Sequence, residues 1–117
     1  MMIRIEINGE VATATLENSV AARDFASMLP MEITLENYAD IERIFYLPRK
    51  LDTTDAPAGM KPKRGDINYY APWGNLAIFL GEAAYARGLV KLGTIESGLS
   101  ALERKAPYKV RIVRIDH

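Results

Sequence analysis

The chain has 117 residues, 49% of them apolar and 26% charged, with 15 basic side chains against 15 acidic ones. That describes one ordinary globular domain, 1–117, able to bury roughly two-thirds of its unfolded surface without a staple, and its balanced charge leaves no electrostatic footprint for nucleic acid. The absence of cysteine excludes disulfides, zinc thiolates and thiol nucleophiles; no apolar run approaches the ~18 residues of a membrane helix; and the charged, alternating start leaves no room for a signal peptide, so a cytoplasmic protein is expected.

The opening reads as a hairpin. Ile3, Ile5 and Ile7 alternate with Arg4 and Glu6, the period of a half-buried strand. Asn8-Gly9 follows, and both residues accept the positive φ of a two-residue type I′ turn. The return strand, Val11 to Leu16, turns Ala12, Ala14 and Leu16 to one face. A short helix comes next, capped by Asn18 or Ser19, with Ala21, Phe25, Met28 and Leu29 on one side and Pro30 as its stop. Met31, Ile33 and Leu35 then alternate with polar residues in a third strand. The apolar run Ile41 to Leu47 is too short for its period to decide, but its aromatic and β-branched content favours strand.

From Pro48 to Gly65 the texture changes to prolines and glycines with almost no apolar period, which predicts a long ordered loop. Loops of that length inside a small domain are more often functional than idle. Strands are predicted over Asp66 to Tyr70, Leu76 to Leu80, Leu89 to Ile95 and Tyr108 to Ile112. A tight turn spans Ala71 to Asn75, and Ser97 is placed to cap a short helix carrying Leu99 and Leu102. About eight strands and two short helices suit a mainly β, closed barrel, which removes exposed sheet edges.

Three stretches carry a resemblance. GDINYYAPWGNLAIFLG from Gly65, GLVKLGTIESGLSALE from Gly88, and LPRKLD from Leu47 with Ala56-Pro57 resemble the bacterial and archaeal cyclophilin-like proteins. The order of elements resembles theirs nearly end to end. The resemblance implies a closed eight-stranded antiparallel barrel with helices at its open ends. Cyclophilins are prolyl isomerases whose catalytic arginine lies in a Phe-His-Arg strand ending in proline. The nearest counterpart is Glu42 to Pro48, where Arg43 stands one residue too far from the proline. The Phe-Met-x-Gln-Gly-Gly-Asp stretch has no equivalent in RKLDTTDAPAG, and the pocket glutamine, phenylalanine and histidine correspond to Leu76, Ile78 and Leu89. Strand alternation leads to the expectation that these positions face the groove. The barrel is thus kept without most of its proline-binding residues, which points to a binding module for a small molecule or peptide. The alternative is a divergent isomerase using Arg43 or Arg49.

Other chemistries find little support. His117 is the sole histidine and the final residue, which removes the usual serine–histidine triad and any histidine metal site. No phosphate-loop or dinucleotide pattern is present, and no cofactor is expected. Asp52, Asp55 and Asp66 suit turns and caps better than a metal. Arg49, Lys50, Lys61, Lys63 and Arg64 crowd the middle loop; they form either a solvated surface or an anion site. Of the adjacent pair Tyr69 and Tyr70, only one can face the core. Trp73, in a turn, either packs over the open barrel end or serves as a ligand platform. The candidate ligand-binding residues are therefore Arg43, Arg49, Lys50, Tyr70 and Trp73, gathered where the long loop approaches the 70–75 turn. Oligomeric state is not legible.

Overall fold

The computed structural model describes residues 1–115; His117 lies outside them. Ten strands and two helices run in the order β1 (Met2–Ile7), β2 (Glu10–Leu16), α1 (Val20–Ala26), β3 (Met31–Tyr38), β4 (Glu42–Tyr46), β5 (Gly59–Met60), β6 (Asp66–Tyr70), β7 (Asn75–Phe79), β8 (Ala86–Arg87), β9 (Leu89–Ser97), α2 (Leu99–Leu102) and β10 (Tyr108–Arg114). Eight of the strands close a barrel in the order β1-β10-β3-β4-β7-β6-β9-β2, every neighbour antiparallel. The expected mainly β, closed eight-stranded barrel is what the chain forms. No helix of the described residues is long and apolar enough to cross a membrane.

The first hairpin turns on Asn8 and Gly9, at φ 49° and 87°, the left-handed pair a type I′ turn requires. Its alternation is kept: Ile3, Ile5, Ile7, Ala12, Ala14 and Leu16 all enter the core. The Ser19 hydroxyl accepts from the Ala22 N–H at the start of α1, which sends Ala21, Ala22, Phe25 and Ala26 inward. Helix α1 follows the end of β2, whereas α2 starts at Gly98, packed on Val11 at the beginning of β2. The two helices therefore sit at opposite ends of the barrel, and Phe25 and Leu102 plug them with fully buried side chains.

Two local expectations are corrected. Ser97 does not cap α2: it remains in β9, where its hydroxyl meets Thr13 Oγ1 at 2.6 Å, and the left-handed Gly98 takes the cap position. The segment from Pro48 to Gly65 is not all loop, because Gly59–Met60 pairs with Ala86–Arg87 in a two-stranded ribbon apart from the barrel. A two-residue strand is too short to leave a periodic trace in sequence. A Cβ on Gly59 would stand 2.4 Å from the Ala86 carbonyl oxygen, so the ribbon's close approach needs glycine there.

Candidate functional site

Along β4, β7, β6 and β9 both faces are covered. Inside, Leu76, Ile78, Ile67, Tyr69, Val90 and Leu92 belong to the main core, with Phe45 partly buried against it. Outside, the register lines residues up in rows across strands. Tyr38 lies opposite Glu42, and Glu42 opposite Phe79. Ile44 faces Ala77, which faces Asn68. Leu89 faces Tyr70, which faces Asn75. Ile44, Ala77, Phe79 and Leu89 make a second apolar cluster on this outer side, packed by Met60, Ala83 and Ala86 of the ribbon region.

That cover is incomplete. A groove of about 210 Å³ remains, floored by Ile44, Phe79 and Leu89 and walled by Tyr38, Tyr70 and Trp73. Trp73 projects from the turn between β6 and β7, which is closed by the Gly74 N–H donating to the Tyr70 carbonyl at 2.8 Å. Its ring lies 5.5 Å from Tyr38 and 5.4 Å from Tyr70, nearly perpendicular to both at 83° and 79°. Such edge-to-face contacts hold large rings in fixed attitudes. Trp73 nonetheless stays 48% exposed and Tyr38 42% exposed. A plug of the barrel end would be buried; this indole is a wall of an open groove.

Two polar groups meet this apolar surface. Asn75 is 2% exposed; its Nδ2 donates to the Leu76 carbonyl, and its Oδ1 has no partner. Glu42 lines the groove half-buried, and desolvation pushes its carboxyl above the usual glutamate range. No lysine or arginine of the described residues lines the groove.

A larger cleft of about 470 Å³ lies on the other side of the β5–β8 ribbon, between the start of α1, Thr54 to Pro57, and Lys91. Leu89 borders both spaces. The charged groups of the larger cleft are mixed in sign and partly engaged, with Arg23 on Asn18 at 2.6 Å and Lys91 3.8 Å from Asp66. It is roomier but has no aromatic wall.

Of the five candidates, the groove brings together Tyr70 and Trp73. Tyr69 is the core partner of the tyrosine pair, at 1% exposure, with its hydroxyl accepting from the Leu51 N–H. Arg43 points into the barrel, opposite Ile78. There it donates to Asn37 Oδ1 at 2.8 Å and the Arg104 carbonyl at 3.0 Å, at the α2 end. Arg49 goes to the opposite end and grips Asp24 of α1 bidentately, both contacts 2.9 Å. That hydrogen bond, followed by the Asp52 N–H, holds the Asp24 carboxyl below its usual range. Lys50 is exposed beside it and lines neither space. The loop's other guanidinium, Arg64, is paired with Glu103. The two guanidiniums of the loop thus go to separate carboxylates instead of converging.

The correspondence at β7 also needs correcting. Leu76 and Ile78 do not face the groove; both are fully buried inside the barrel. Because β7 starts at Asn75, its outward positions are Asn75, Ala77 and Phe79. Leu89 does line the groove. Asp52 folds back on Thr54 and Asp66 accepts from the Lys63 N–H, so these act locally. No group of three or more potential metal-ligating side chains occurs among the described residues. Sequence reasoning missed Tyr38, Glu42, Asn75 and Phe79. The available signal was Glu42-x-Ile44, a carboxylate sharing one face of a strand with an apolar residue.

A family model described as the Cyclophilin-like family matches residues 5–113. Among solved structures, the solution structure of the hypothetical protein AF2241 from Archaeoglobus fulgidus is similar, with a TM-score of 0.70 over 98% of this chain and 95% of that one, at 19% identity. At that identity the likeness is one of fold. No curated protein matches the chain.

Proposed function

The chain belongs to the cyclophilin-like family, and from that premise we propose that it is a ligand- or peptide-binding module that does not isomerise proline, with its site in the Tyr38–Tyr70–Trp73 groove. The carrying observation is the open aromatic groove itself. Its floor is buried, yet two of its three ring walls keep nearly half their surface in solvent. An apolar wall with a few convergent polar groups is the usual composition of a small-ligand site. Isomerisation requires a donor that favours the twisted amide over the planar one. Arg43 is held inside the barrel by two carbonyl-type acceptors, and Arg49 is bound to Asp24 at the α1 end. Neither guanidinium lines the groove. Fold alone is no reason to assign an activity.

Trp73 is the only tryptophan, so its fluorescence reports on this groove. A panel of proline-containing tetrapeptides and common metabolites is titrated while emission and melting temperature are followed. A binder is expected to shift both. In Trp73→Ala the thermal shift is lost, while the variant itself melts close to the parent, since a half-exposed side chain contributes below about 1 kcal/mol. Prolyl isomerisation, which takes tens to hundreds of seconds uncatalysed, is expected to proceed at its background rate. The reading fails if no panel member shifts the parent and Trp73→Ala melts far below it. Robust turnover would instead favour a divergent isomerase.

A further inference from the structure

Resting on that reading, we propose that the groove selects a methylated ammonium group. Glu42 carries the argument. It is the only charged residue lining the groove, it is half-buried, and its carboxylate has neither an ion pair nor a hydrogen bond among the described residues. Elsewhere on the surface three guanidiniums do find carboxylates: Arg49 pairs with Asp24, Arg64 with Glu103 and Arg104 with Glu10. A carboxylate partly removed from water without a partner is unfavourable, and an incoming cation relieves it. The row Tyr38–Glu42–Phe79 puts an aromatic ring on each neighbouring strand beside that carboxylate.

The rings supply the second half of recognition. Trp73 stands almost perpendicular to both tyrosines, so the groove offers aromatic walls in at least two planes. Cations are attracted to the faces of tryptophan and tyrosine, and cages of such rings are the recurring solution for quaternary ammonium. Polar satisfaction then chooses among cations. The groove presents few acceptors: the Glu42 carboxylate and the hydroxyls of its lining tyrosines, while the unpartnered Asn75 Oδ1 is buried beneath the surface. A guanidinium brings five N–H donors and a primary ammonium three, most of which would be stranded. A trimethylammonium brings none, and its methyl groups suit the floor of Ile44, Phe79 and Leu89. About 210 Å³ accommodates such a head with room for its tether.

The test uses choline against its neutral isostere, 3,3-dimethylbutan-1-ol, on the intact protein at matched ionic strength. Trp73 emission and the ring resonances of Tyr38 and Tyr70 are the readouts. Choline is expected to bind roughly tenfold more tightly than the alcohol, the order a partly desolvated cation–π site provides. Glu42→Gln and Tyr38→Leu are each expected to erase most of that ratio, whereas Arg49→Ala leaves it unchanged. A trimethyllysine peptide run beside choline shows whether the group arrives on a chain or as a small molecule. Equal binding of choline and the alcohol overturns the inference while leaving the groove a binding site. Silence of the groove resonances to both choline and the trimethyllysine peptide also overturns it, and the peptide and metabolite panel then decides the groove itself. Because the isostere comparison is made on the parent, a variant that fails to fold does not spare the inference.

Discussion

The inner and outer faces of the β4–β7–β6–β9 quadrant are built from the same strands yet finished differently. Inside, Leu76, Ile78, Ile67 and Tyr69 meet side chains from the far wall and the helix plugs, and all are buried to within 1%. Outside, Ile44, Ala77, Phe79 and Leu89 are covered only by a two-stranded ribbon and a few loop residues. The inner face is closed by the barrel's geometry, so nothing there is spare. The outer face depends on separately placed cover, and where the cover stops, rings and a carboxylate stand at a half-open surface. In this chain the quadrant that is apolar on both sides is where a small barrel finds room for a groove without hollowing its core.

Three substitutions sharpen that contrast. Leu76→Ala removes a fully buried inner side chain and is expected to cost about 2–5 kcal/mol, read by chemical denaturation. A cost below ~1 kcal/mol would mean that the inner face is not the tightly packed one. Gly59→Ala attacks the outer cover, since its Cβ would collide with the Ala86 carbonyl. A smaller loss, about 1–3 kcal/mol, is expected. It should come with faster amide exchange at Gly59 and Arg87 and unchanged protection along β1 and β10. Uniform loss of protection would show that the ribbon is part of the core after all.

Glu42→Gln should have the smallest effect and the opposite sign. Burial raises the folded carboxyl above the ordinary glutamate value of 4.5, so the ionised form is penalised in the native state. A raised folded value means stability is fully present below 4.5 and is lost as pH rises through the folded value. Glutamine has no such loss. The variant should therefore be more stable by a few tenths of a kcal/mol at neutral pH, with the gain vanishing below the ordinary glutamate value. A destabilised variant at pH 7 would mean that Glu42 has a favourable partner, and would remove the basis for a cation site.

Much of the frame was legible because its signals are local. Ile3, Ile5 and Ile7 bury one face of a strand that ends in Asn8-Gly9, and nothing beyond that window is needed to read them. The split of Tyr69 from Tyr70 followed from alternation alone. The facing of Leu76 and Ile78 did not, because Asn75 to Phe79 is buried on both sides and a strand buried on both sides loses its period. Tyr38 and Trp73 meet through pairings between strands distant in sequence, so neither points to the other along the chain. Arg49 and Lys50 looked like site residues because they crowd a loop in sequence. Asp24, which decides where Arg49 goes, is on a helix in another part of the chain.

The barrel closes along the seam between its first and last strands, where Ile3 stands opposite Arg114 and Ile5 opposite Ile112. No local segment can form that seam. The opening hairpin can fold early on its own turn, but β10 must cross nearly the full length of the chain before it pairs with β1. Closure entropy on that scale makes such topologies slow, in the ms–s range. The same seam sets how the molecule behaves when crowded. While it is shut the barrel has no free edge; parting β1 from β10 exposes two complementary edges at once, each the natural partner of the other edge in a second molecule. Exchange of terminal strands between copies is the failure this architecture invites, and prolonged incubation at high concentration is where strand-swapped species would accumulate.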